Sequence, residues 1–328
     1  MKIVILDPSM RNHQGKPSIN LGDVIIREAI DRFMESVFRG ATVHRLSTHQ
    51  YLEECHYDLI EQSDFVFIGG TNLLSSDVET YNQWKLSDHF QRSPRIKNVI
   101  LFGVGWWQYQ DRPTNNTTEF YNAILSKSWI HSARDSYTVM KLADMGIQNA
   151  VNTSCPTVWG LNGIEPNRKD TTCQNCIFTL TDYYRNPLSD TRLIEIILSS
   201  YREKIFFFPQ GSEDLNYINT LEIFDTNRSR IQVLAHSIEA LDDCIHAGKI
   251  NYIGTRLHTG TRCLQTGIDS LIVAVDNRAT EIGKDINLPV VNREELFRVE
   301  EWIAGERIFR PISLPMLDIE LWKGQFNR

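Results

Sequence analysis

Two parallel α/β domains are the fold this sequence predicts, and three observations predict it. The chain has 328 residues, more than one hydrophobic core usually serves. Short apolar runs alternate with longer stretches of helical periodicity, the pattern of parallel sheets covered by helices. The alternation breaks once, at a polar segment near the middle, and then restarts.

Residues 2–6 read as a buried strand, followed by a loop rich in turn formers that runs to Gly22. Val24, Ile26, Ile30, Phe33, Met34 and Val37 recur at helical spacing, so residues 23–38 read as a helix with Asp23 at its start. Strands follow at 41–46, 65–68 (ending in Gly69-Gly70), 98–102 (ending in Gly103), 129–133 and 151–153. Helices are expected at 51–61, 78–90, 119–125 and 136–145. Residues 162–174 contain Gly163, Pro166, Asn167, Lys169 and Asp170 and read as a linker. Beyond it, strands are expected at 176–180, 205–208, 231–234, 250–253 and 271–275. Helices are expected at 191–202, 215–224, 238–247, 259–266 and 294–304. The domains are therefore placed at 1–165 and 166–293, with a helical tail over 294–328 returning to the first. The architecture expected is two doubly wound Rossmann-like domains facing each other across a cleft.

Composition excludes several function classes. Apolar residues make up 41% and charged residues 23%, as in an ordinary globular chain. The net charge is −7 with no basic run, which argues against nucleic acid as a partner. The opening residues reach Asp7 too soon for a signal peptide, and no stretch comes near the ~20 apolar residues of a membrane span. A cytoplasmic protein is expected. Of six cysteines only Cys173 and Cys176 form a C-x-x-C pair, and no second pair completes a zinc site. No metal is expected.

In open parallel sheets ligands bind beyond the carboxyl ends of the strands. Gly69, Gly70, Gly103 and Gly105 fall at such ends, where glycine lets a backbone approach a ligand, although each is also explained as a turn. Arg256-Leu257-His258 follows a buried strand and opens a helix at Thr259. Arginine can grip a phosphate or carboxylate with two bonds, histidine can move a proton near neutral pH, and a helix start favours an anion. The competing reading is a structural arginine paired with an acid, with His258 capping the helix. Arg256→Ala is expected to weaken anion binding more than the fold. Arg134 is a second strand-end cation, in the first half. Trp106 and Trp107 could stack on a sugar or close a core edge. There is no P-loop, no complete dinucleotide fingerprint, no H-E-x-x-H and no G-x-S-x-G.

The ordered set of Asn20-x-Gly22-Asp23, Ile68-Gly69-Gly70, Gly103-Val104-Gly105, Ser132-Ala133-Arg134-Asp135, Cys155-Pro156-Thr157 and Arg256-Leu257-His258 resembles the polysaccharide pyruvyl transferase family. Leu142 and Gly146 fit the same pattern. The resemblance spans roughly residues 3–292. It departs at Thr71, after the glycine pair, and at Thr259-Gly260-Thr261. It implies a glycosyltransferase-B-like fold and transfer of pyruvate from phosphoenolpyruvate onto two hydroxyls of a sugar, giving a cyclic ketal and phosphate. It also implies donor binding by Arg134, Arg256, Leu257 and Thr259, with His258 in proton transfer. Two arginines from facing domains would each hold one anion of the donor, so no cofactor is expected. Asp23 and Asn72 are candidates to orient the acceptor, and Asn20, Gly22, Gly69, Gly70, Gly103, Gly105 and Trp106 are loop or acceptor candidates. A lipid-linked acceptor would bring peripheral membrane contact, and the pattern is compatible with a homo-oligomer. The alternatives are a glycosyltransferase using a nucleotide sugar and a non-catalytic sugar-binding protein of the same fold.

Overall fold

The computed structural model describes residues 1–85, 95–166, 172–306 and 308–327. The chain divides into two compact units: unit 1 is Met1–Ser18, Asp23–Trp159 and Leu314–Arg328, and unit 2 is Ile19–Gly22 and Gly160–Ser313. The linker expected at 162–174 lies partly outside the described residues.

Unit 1 runs β1 (Lys2–Asp7), α1 (Leu21–Val37), β2 (Thr42–Ser47), α2 (Glu54–Glu61), β3 (Phe65–Gly69), β4 (Val99–Val104), α3 (Asn115–Ile124), β5 (His131–Ala133), α4 (Ser136–Asp144) and β6 (Ala150–Asn152). Its six strands are all parallel, in the order β2-β1-β3-β4-β5-β6. Every residue of β4 is buried, as expected of a central strand covered on both faces. Thr114 caps α3 by accepting the Thr117 amide, and Asp135 caps α4 by accepting that of Thr138.

Unit 2 runs β7 (Cys176–Thr179), α5 (Pro187–Ser200), β8 (Ile205–Phe207), α6 (Asp214–Ile218), α7 (Glu222–Thr226), β9 (Ile231–Val233), α8 (Ile238–His246), β10 (Asn251–Gly254), α9 (Leu257–Gln265), β11 (Ser270–Ala274), α10 (Asn277–Ile286), β12 (Val290–Asn292) and α11 (Phe297–Ala304). The sheet order is β12-β11-β10-β7-β8-β9, again all parallel. From β7 the chain winds outward one way through β8 and β9, then returns to β10 and winds the other way. The topological switch point, where ligands bind in such sheets, lies between β7 and β10.

The tail divides. Helix α11 packs on α5 in unit 2, while α12 (Met316–Gly324) belongs to unit 1. There Trp322 is fully buried, its ring 4.5 Å from Phe102 and 5.1 Å from Phe33, and Phe326 joins the same aromatic cluster.

Other departures from expectation have local causes. Residues 78–85 are turns and irregular chain, because the Asp77 carboxylate accepts the amides of Glu79 and Thr80 and holds a turn instead. The rest of that expected helix lies outside the described residues. The helix expected at 215–224 is two short ones. Asn219 and Thr220 side chains donate to the carbonyls of Leu215 and Tyr217 and break the ladder. Helix α5 starts early because Asn186 caps it with Pro187 in its first turn. Strand β12 and helix α10 were not anticipated, whereas α12 falls within the helical tail expected at 294–328.

Candidate functional site

At the switch point of unit 2 the strand ends carry Asp182 and Tyr183 after β7 and Arg256 after β10. Arg256 is only 3% exposed. Its Nε donates to Asp214 Oδ2 at 2.9 Å, and its Nη2 donates to Asp214 Oδ1 and to Asp182 Oδ1, the latter at 2.7 Å. Its backbone is fixed by bonds to Thr179 Oγ1 and from the Tyr252 hydroxyl. Burial works against the charge on Arg256, but Tyr183, Asp214 and Asp182 outweigh it and raise the pKa above its ordinary value. The competing sequence reading of an acid-paired arginine is thus the geometry found, and it corrects one expectation. Removing the guanidinium strands Asp214, whose side chain is 0% exposed, so Arg256→Ala must damage the fold as well as any site.

His258 stands in the first turn of α9 and is 5% exposed. A Cβ on Gly22 would lie 3.1 Å from its Nδ1 and 2.7 Å from Gln210 Nε2, so glycine is required for this close approach. Gln210 ties the corner together. Its Oε1 accepts the Thr259 amide at 3.1 Å and hydroxyl at 2.9 Å, and its Nε2 donates to Asn20 Oδ1 at 3.0 Å. Asn20, Gly22, Leu257 and Thr259 therefore gather around His258 within unit 2.

Beside them, after β11, Arg278 pairs with Asp276 at 2.6 Å and donates to the Tyr183 hydroxyl. The Tyr183 ring lies over two guanidiniums, with Arg256 Cζ 4.9 Å and Arg278 Cζ 5.6 Å from its centroid. These residues with His258 and Gln210 line a cavity of about 10 Å³, room for about one water. Sequence reasoning missed Arg278, Tyr183, Asp182 and Asp214. Reading α10 from the apolar spacing of Ala279, Ile282 and Ile286 behind the Asp276 cap would have exposed Arg278 as a third strand-end cation.

In unit 1, Arg134 is 2% exposed. Its Nε donates to Asp135 Oδ2 at 3.0 Å and its Nη1 to Asn72 Oδ1, while Nη2 lies 2.9 Å from Asp135 Oδ2 without hydrogen-bond geometry. The guanidinium covers Gly105, where a Cβ would sit 2.1 Å from Arg134 Cζ. Glycines 70 and 103 take φ of 75° and 64°, in keeping with the turn reading, and glycines 69, 70 and 103 also face close neighbours. A Cβ there would meet Ile30 at 2.7 Å, Ile26 at 2.4 Å and Pro156 at 2.3 Å, so they let elements of unit 1 pack closely. Asp23 accepts the Ser18 hydroxyl at 3.0 Å. Trp106 is 0% exposed and donates to Gln110 at 2.9 Å, which closes its ring to a sugar. Its half-buried neighbour Trp107 stacks on Tyr81 with centroids 3.7 Å apart.

Two cysteines of unit 2, Cys244 and Cys263, are not poised as nucleophiles. Burial pushes the Cys244 thiol up to about 11 and the Cys263 thiol higher still. Among the described residues, no helix is long and apolar enough to cross a membrane.

The fold defines a class first. The chain is similar to a UDP-GlcNAc 2-epimerase of Methanocaldococcus jannaschii, solved with UDP-GlcNAc and UDP, at 12% identity and TM-score 0.55 over 99% of each chain. It is likewise similar to a glycosyltransferase of Rickettsia africae, at 10% identity and TM-score 0.54 over 99% of this chain and 92% of that one. Two parallel α/β units of the glycosyltransferase-B type are the shared architecture. No curated protein matches the chain. The family follows from the sequence: the polysaccharide pyruvyl transferase model matches residues 20–277, and the chain belongs to that family of enzymes.

Proposed function

We propose that this enzyme moves pyruvate from phosphoenolpyruvate onto two hydroxyls of a sugar, in a surface polysaccharide or its lipid-linked or nucleotide-linked precursor, forming a cyclic ketal and releasing phosphate. The observation that carries the reading is the convergence of Arg256, Arg278 and His258 on one pocket at the switch point of unit 2. Guanidiniums suit the donor's phosphate and carboxylate, and the starts of α9 and α10 add to the favourable field. Proton delivery to the donor's methylene carbon makes its neighbour electrophilic. One sugar hydroxyl then adds there. Phosphate then leaves with the electron pair of its bond to that carbon, a second hydroxyl closes the ketal, and the two hydroxyl protons end on the methyl group and the phosphate. His258 is the group assigned to proton transfer, and arginines suffice to neutralise the phosphate without a metal or cofactor. Asn20, Gly22 and Gln210 position His258, and Asp23 and Asn72 are proposed on the acceptor side.

The experiment is incubation with phosphoenolpyruvate and a panel of lipid-linked and nucleotide sugars, following phosphate release and the mass of the sugar. Phosphate should appear only when a suitable sugar is present. His258→Gln should keep donor binding and lose about tenfold or more in turnover. The fold shared with the epimerase and the glycosyltransferase supports a second reading, a glycosyltransferase using a nucleotide sugar. A melting shift with uridine or guanosine diphosphate and none with phosphoenolpyruvate would replace the first reading with it.

A further inference from the structure

The switch-point crevice of unit 2 is filled by the chain's own anion and phenol. Asp182 and Tyr183 sit in a short 3₁₀ turn directly after β7. The Asp182 carboxylate occupies Arg256 Nη2 at 2.7 Å, where a ligand carboxylate or phosphate would bind. The Tyr183 ring lies across the faces of Arg256 and Arg278, and its hydroxyl takes an Nη2 hydrogen of Arg278. With both side chains in place the cavity is about 10 Å³, enough for one water and far too little for a phosphorylated three-carbon acid. The two arginines are also matched by three acids, Asp182, Asp214 and Asp276, so the pocket carries no net positive charge.

The three acids are not equivalent. Asp214 is 0% exposed, grips Arg256 through both oxygens, and also accepts the amides of Gly211 and Asp182. Asp276 caps α10. Asp182 makes one contact to Arg256 through a side chain that is 20% exposed, while its backbone is held by Asp214 and by Arg185. Tyr183 is 50% exposed. Both side chains can swing outward while the turn stays anchored.

We infer that Asp182 and Tyr183 form a plug that mimics an anionic ligand on Arg256 and Arg278, and that a phosphate- or carboxylate-bearing ligand binds by displacing their side chains. This rests on the donor pocket proposed above. The plug sets the affinity of the site, because a ligand that competes with it binds only to the open fraction. Removing part of the plug should therefore tighten binding, whereas a structural or ligand-gripping residue weakens it when removed.

The test is calorimetry of wild type, Asp182→Asn, Tyr183→Ala and Tyr183→Phe with phosphoenolpyruvate and, separately, with inorganic phosphate, alongside ligand-free melting to show that each variant is folded. Asp182→Asn and Tyr183→Ala should each lower the Kd by about three- to tenfold, with Tyr183→Phe between Tyr183→Ala and wild type. Folded variants that bind either anion no better than wild type overturn the plug and leave the donor reading standing. Variants that gain affinity for phosphate but never bind phosphoenolpyruvate keep the plug and remove the donor. Binding of neither anion by any of the four proteins removes both.

Discussion

The two strand-end arginines are buried alike and used differently. Arg134 in unit 1 has one acid and one amide, and that acid also caps α4; its Nη2 has no hydrogen-bond acceptor. Arg256 in unit 2 has two acids, one of them bound through both oxygens. A buried guanidinium tied to one acid and one amide and one tied to two acids look the same in a sequence. The first has bonding capacity left over within its unit. The second already holds two carboxylates, and its tightest partner makes it part of the fold.

Breaking the second arginine should have the largest effect on stability. Arg256→Ala leaves Asp214 as a buried charge without its counterion, which costs about 3–5 kcal/mol. Denaturant unfolding should show that loss in full. Arg134→Ala should cost less, because Asp135 keeps the amide and hydroxyl of Thr138 at 2.8 and 2.6 Å. Equal losses in the two variants would erase the distinction between the two arginines.

The comparison is sharpened by pH, through a histidine three residues before Arg134. His131 on β5 is fully buried, with Nδ1 accepting the Leu101 amide and Nε2 bonded to the Ser126 carbonyl, so the neutral ring fits and the charged one does not. Burial lowers its pKa to about 4, with a small opposing effect from the Ser126 carbonyl. The unfolded chain then binds the proton first. Stability from this group is complete above about pH 6.5 and is lost as pH falls towards 4, by roughly 3 kcal/mol in all. His131→Gln should flatten that part of the stability profile. An unchanged slope would mean that the imidazole is not buried in its neutral form.

Much of this was legible in the sequence, and what was not has identifiable causes. Strand positions were readable because parallel strands buried on both faces are runs of Val, Ile, Leu and Phe, as in β1, β4 and β11. The Arg256-Leu257-His258 corner was readable because a charged pair after such a run is conspicuous. The partners of Arg256 were not, because Asp182 and Asp214 are distant in sequence and meet it only through the sheet order. Arg278 was hidden by a helix with few apolar residues. The row of strand-end glycines was readable as turns, in keeping with the positive φ of Gly70 and Gly103, but not for what packs against it. A missing side chain records a close neighbour, and the sequence does not say whether that neighbour is a ligand or, as for Gly70 and Gly103, another part of the same unit.

Two of these glycines give the finest division between the sites. At Gly105 an added methyl group would sit 2.1–2.4 Å from the Arg134 guanidinium atoms, which Asp135 and Asn72 fix in place. A planar buried group cannot yield by rotation, so Gly105→Ala should cost about 1–3 kcal/mol of stability. At Gly22 the methyl group first meets Gln210 Nε2 at 2.7 Å, the end of a buried side chain that bonds to Asn20 and Thr259. That side chain can retreat only at the expense of buried hydrogen bonds, so Gly22→Ala should also cost about 1–3 kcal/mol of stability. Its retreat, however, releases the bonds that Gln210 makes to Asn20 and Thr259 and lets the new methyl group press on His258 Nδ1. If His258 transfers a proton in the reaction, Gly22→Ala should still fold and lose turnover by about tenfold, the scale on which small displacements of a catalytic group act. A folded variant with wild-type turnover would show that the position of His258 does not set the rate, and would move the search for the proton donor away from α9.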